Sequence, residues 1–114
     1  MKNVPFSIIE YKESYTFQDE GLKVRETKDI VIISICKSFP TPGYFMGVSR
    51  IENEDGVFSI YLDIRPPRSS FILFQVITYR EITIEIVKEE LGKPPYDFKL
   101  IDTKGRQRNN RVML

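Results

Sequence analysis

The chain has 114 residues, enough for one domain with its own core and no need of disulfides or metal. It has no Ala, Trp or His and is rich in Ile, Val, Phe and Tyr, which removes the best helix former and favours strands throughout. With 17 basic and 16 acidic groups the formal charge is +1, so no global field draws the chain to nucleic acid or a membrane surface.

Residues 1–5 lack the apolar run of a signal peptide, and no stretch is long enough to span a bilayer. With Met1 as the native start this predicts a cytoplasmic protein, and with a leader removed upstream a cell-envelope or secreted one. Residues 4–12 read as a first strand, with Pro5 marking a strand start or an edge. Residues 12–21 are polar around Tyr15 and Phe17 and read as a loop or short irregular strand, and residues 22–26 as a short strand. Residues 30–37 are apolar on both faces, as expected of a central strand covered on both sides. Cys36, the only cysteine, rules out an intrachain disulfide and reads as a small buried hydrophobe.

Residues 38–65 are the organising stretch. Pro40, Pro42 and Gly43 form a structural corner, Pro42-Gly43 suiting the centre of a type II turn, whereas a phosphate-cradling loop needs more glycines and a following helix. Beyond it Phe58, Ile60, Leu62 and Ile64 alternate with Ser59, Tyr61, Asp63 and Arg65, and Asp55-Gly56 fits a two-residue type I′ turn. That turn pairs Glu54 with Val57 and Ile51 with Ile60, and unbroken pairing continues to Ser49 opposite Leu62 and Gly47 opposite Ile64. Arg50 then lies beside Tyr61, Val48 beside Asp63 and Met46 beside Arg65 on the outer face. With Tyr44 these give a candidate binding face of Tyr44, Met46, Arg50, Tyr61, Asp63 and Arg65; the alternative is an ordinary solvated sheet surface.

Residues 65–70 hold Pro66 and Pro67 between Arg65 and Arg68 and read as an exposed connection, or as a recognition loop. Residues 71–87 read as two strands meeting at residues 78–80, or as one strand bending between sheets. Residues 91–95 break the chain again, Tyr96, Phe98 and Leu100 form a last period-two row, and residues 102–105 read as a turn. Residues 104–114 carry Lys104, Arg106, Arg108 and Arg111 without an acid, which leaves 13 basic and 16 acidic groups, a balance of −3, over residues 1–103. This end is a basic tail, a weak terminal strand or an arm for an anionic ligand. The fold predicted is all-β: a β-sandwich or small barrel of about six to eight mostly antiparallel strands in one domain over residues 1–114, with little or no helix. High Ile, Lys, Glu and Arg with few Asn, Gln and Cys is a thermophile-like composition, which a mesophile-like melting temperature would contradict.

Without His, a Ser-His-Asp or Cys-His arrangement is impossible, and zinc sites built on His or several Cys are excluded. Glu52, Glu54, Asp55, Asp63, Glu81 and Glu85 could in principle form a carboxylate pair, but they fall on outer faces or in turns. Residues 52–55 do not match a calcium-loop spacing. No catalytic residue, metal or cofactor is expected.

The segment from Ile33 through Pro40-Thr41-Pro42-Gly43-Tyr44, the strand pair around Asp55-Gly56, the Pro66 break and Gln75-Val76-Ile77-Thr78-Tyr79 resembles the PrcB-type C-terminal domain, over about residues 29–88. Two departures stand out: Pro42 replaces the first glycine of that family's corner, and Arg80 stands where the family usually has proline. The resemblance implies a small β domain of accessory subunits in cell-envelope protease complexes, with no catalytic residues of its own. The function expected is a non-catalytic module binding a partner protein, with a homodimer through a sheet edge or face as a further expectation. The alternative is a small-ligand or carbohydrate binder using Tyr44, Tyr61 and Arg50.

Overall fold

The computed structural model describes residues 2–68, 75–102 and 111–114. Nine strands run through them: β1 (Lys2–Asn3), β2 (Ser7–Ser14), β3 (Gly21–Glu26), β4 (Ile30–Phe39), β5 (Phe45–Glu54), β6 (Val57–Arg65), β7 (Thr78–Val87), β8 (Asp97–Ile101) and β9 (Arg111–Met113). The excess over the expected six to eight comes from the two- and three-residue strands β1 and β9. One 3₁₀ turn, Lys88–Glu90, is the only helical element among the described residues.

The strands form two sheets, ordered β1-β5-β6-β8-β9 and β2-β7-β4-β3. All pairs are antiparallel except β6 with β8. That exception follows from connectivity. The chain leaves β6, forms β7 in the other sheet and returns as β8, and such a crossover permits a parallel neighbour.

The apolar alternation of each strand decides what lies between the layers. Ile51, Phe58, Ile60, Phe98 and Leu100 from the five-stranded sheet and Val31, Ile33, Ile35, Ile82, Ile84 and Ile86 from the four-stranded sheet are all 0% exposed. Phe58 sits against Tyr96 and Phe98 with ring centres 6.0 and 5.3 Å away. Offset and edge contacts of this kind add to what burial alone contributes. β4 is central, but the five-stranded sheet covers only one of its faces, instead of the two expected. Ile30 and Ile32 on the other are half-buried, with Ile32 flanked by Arg25 on β3 and Glu85 on β7, whose stems can shelter it.

The hairpin turns as its dipeptide requires: Asp55 has φ 51° and Gly56 φ 86°, and Asn53 Oδ1 accepts from Gly56 N at 3.0 Å. Glu54 pairs with Val57 and Ile51 with Ile60, as expected. Beyond Arg50 a bulge shifts the register, so Val48 faces Leu62, Gly47 faces Asp63, Met46 faces Ile64 and Phe45 faces Arg65. The unbroken pairing of Ser49 with Leu62 and Gly47 with Ile64 is therefore corrected. Ser49 is exposed and donates its hydroxyl to Tyr61 O at 3.1 Å, while Met46 and Val48 turn inward. One extra residue reverses every side chain before it.

Gly43 has φ 102°, the positive value a type II turn needs after Pro42, and the corner brings Tyr44 onto Phe39 with ring centres 4.8 Å apart. The strand expected within residues 71–77 lies mostly outside the described residues; Gln75, Val76 and Ile77 are not strand. The basic stretch before β9 also lies outside them.

Candidate functional site

The six residues of the expected face do not form one surface. Arg50 and Tyr61 are together, the guanidinium carbon 3.8 Å above the ring centre, and Arg50 Nε also meets Glu52 Oε2 at 3.2 Å. Arg65 donates to both oxygens of Asp63, at 3.2 and 3.0 Å, and reaches over the exposed Phe45 ring at 5.7 Å. Tyr44 packs against the core instead of standing on the sheet face. Met46 is 3% exposed, so its placement on the outer face beside Arg65 is corrected; the bulge at Ser49 takes it to the interior.

The apolar surface lies at the side of the sandwich where β2 ends one sheet and β1 and β5 end the other. β2 is exposed along almost its whole length, with Ile8, Ile9 and Tyr11 at 44, 49 and 56% and Phe45 of β5 at 47%. Tyr11 pairs with the buried Ile82, so it points to the inner side of its sheet, yet the other sheet does not extend far enough to cover it. On β5, β1 pairs only with Glu52 and Asn53; among the described residues no strand lies beyond the Phe45 half.

Gly47 shapes this opening. A Cβ there would lie 2.9 Å from Phe45 Cζ and 3.8 Å from the Tyr11 hydroxyl, so the bare backbone lets the Phe45 ring fold over it. Tyr11, Lys12, Tyr44, Phe45, Met46, Arg80 and Glu81 line a groove of about 320 Å³. At its end Arg80 is held by Glu13 at 2.6 Å, while Arg80 Nε is buried without a hydrogen-bond partner.

A second groove, of about 360 Å³, is lined by Lys12, Glu13, Ser14, Gln18, Cys36, Tyr79 and Glu81. Cys36 is 4% exposed, and burial, followed by the carboxylates of Glu81 and Glu20, pushes its thiol up to about 11. Such a thiol stays protonated and weakly nucleophilic. Among the described residues no group of three Cys, Asp or Glu is placed to hold a metal ion, and no helix is long and apolar enough to cross a membrane.

The sequence reading passed over Ile8, Ile9, Tyr11 and Phe45. Pro5 marks the first strand as an edge or a strand start, but exposure of its apolar side chains depends on how far the opposite sheet reaches. Comparison of the chain with family models, with curated proteins and with solved structures finds no match.

Proposed function

We propose that the protein is a non-catalytic β-sandwich module that binds a partner protein at its open side, through the β2 edge and the Tyr11–Phe45 groove. The observation carrying this reading is the row of half-exposed Ile8, Ile9 and Tyr11 on β2, which no strand among the described residues pairs on its far side, with the half-exposed Phe45 of β5 nearby. A strand edge offers unpaired N–H and C=O groups, and apolar side chains beside it supply pockets, the combination used when an extended segment is added to a sheet. The PrcB-type resemblance supports an accessory role of this kind within a protease or envelope assembly. The test is a photo-crosslinking residue placed at Phe45 in cells, with one at Lys23 on the opposite edge as control. Protein adducts from Phe45 and none from Lys23 are expected; equal yields from the two would sink the reading.

A second reading, a small-ligand binder, moves from the sheet face to the groove. On the face, Arg50 covers the Tyr61 ring that a sugar would need, whereas the groove brings Tyr11 and Tyr44 beside the Arg80 side chain. A thermal-shift screen of glycans and small carboxylates tests it. A stabilising hit abolished by Arg80→Met supports it, and no hit removes it.

A further inference from the structure

We infer that the occupant of the β2 edge is a second copy of this chain, paired antiparallel so that two four-stranded sheets join into one of eight strands. This rests on the reading of the open side as a docking surface and names what docks there.

The argument is one of register and charge. A twofold axis normal to a continuous sheet keeps every side chain on its own face, so a strand can pair with itself only in registers that oppose residues of the same face. On β2, Glu10 and Lys12 stand opposite Thr83 and Glu81 on the outer face, their side chains 51 and 62% exposed. Three central registers are open. An axis at Glu10 opposes two glutamates, and an axis at Lys12 opposes two lysines. An axis at Tyr11 sets Glu10 of each copy opposite Lys12 of the other, twice, with Tyr11 opposite itself on the inner face.

Only the third register is attractive, and directly opposed charge pairs are where strand pairing is most sensitive. The intrachain Lys12–Glu10 contact at 3.5 Å then becomes one side of a four-charge square of alternating sign. On the inner face this register sets the two Tyr11 rings, each 56% exposed in the single chain, against one another. The bulge at Ile9 confines the regular ladder to residues 10–14, which contain all three central pairs.

The other edge of the same sheet shows the opposite pattern. β3 carries Lys23 and Arg25 on the outer face, opposite Ser34 and Ile32. Self-pairing about Lys23, Val24 or Arg25 brings like charges together each time. One edge therefore repels its own copy while the other complements it, a division that limits assembly to a closed dimer.

The test is molar mass by light scattering over a concentration series. The wild-type chain is expected to approach twice its 13.4 kDa mass as concentration rises. Glu10→Lys and Lys12→Glu each replace two attractive pairs by two repulsive ones and are expected to weaken dimerisation about tenfold or more. The double variant E10K/K12E restores opposite charges in the same register and is expected to recover the wild-type constant, as is an equimolar mixture of the single variants. All these positions are exposed, and circular dichroism checks that each variant folds. A wild-type chain that stays monomeric, single reversals without effect, or a double variant without rescue would each overturn the inference. A monomeric wild type that still yields Phe45 crosslinks to another protein overturns the dimer and leaves the docking surface standing. Loss of both removes the docking surface as well.

Discussion

Lys37 on β4 and Asp102, the residue after β8, meet across the two sheets with Nζ 3.1 Å from Oδ2, their side chains 16 and 5% exposed. They tie the layers together where the apolar core stops. Breaking a largely buried pair from one side removes the main compensation of the remaining charge, so Asp102→Asn and Lys37→Met are each expected to cost about 3 kcal/mol or less. The double variant should lose less than the sum of the two. Urea unfolding of the four proteins as a double-mutant cycle measures it, and strict additivity would show that the two charges do not act on each other.

Phe58 is 0% exposed between Tyr96 and Phe98. Phe58→Ala is expected to cost about 3–5 kcal/mol, since the surrounding aromatic rings can close only part of the cavity. Tyr61→Ala, three residues further along β6 and on the outer face, is expected to cost about 1 kcal/mol or less through loss of the Arg50 contact. Equal losses at Phe58 and at this half-exposed position would contradict the assignment of faces.

Gly56 adopts φ 86° with open space where a Cβ would stand, so the cost of Gly56→Ala is conformational and not steric crowding. About 1–2 kcal/mol of stability should be lost. Gly56→Asn, a residue that tolerates this region, should lose less. Thermal unfolding of the two variants provides the comparison.

The Cys36 thiol is raised from 9.0 to about 11, mainly by burial. The fold thus favours the neutral thiol. Well below pH 9 neither state ionises it appreciably and its protonation leaves stability unchanged. As pH rises from 9 towards 11 the unfolded chain loses this proton before the folded one does, and stability falls. Cys36→Val should show a shallower alkaline decline in that window. Thiol-reactive dye should label the native protein slowly near neutral pH and the denatured protein rapidly.

By itself the sequence determined the strand-rich composition, the Asp55-Gly56 turn and the inward row of Phe58, Ile60 and Leu62, because each follows from local conformational preference or a two-residue period. It also placed Arg50 next to Tyr61, since that pair lies between the turn and the bulge, where counting outward from the turn still holds. Past Ser49 the count fails. Nothing in Gly47-Val48-Ser49-Arg50 announces an extra residue, and the bulge arises because Met46 and Val48 gain more from burial opposite Ile64 and Leu62 than a regular ladder would give. Only the tertiary structure decided which apolar residues remain uncovered. Ile8 and Tyr11 are as apolar as many core residues, but their sheet extends past the other at this side, so they face water, while the bulge that turns Met46 inward turns Phe45 to the outer face. Burial is a property of two layers meeting, and no single strand carries it.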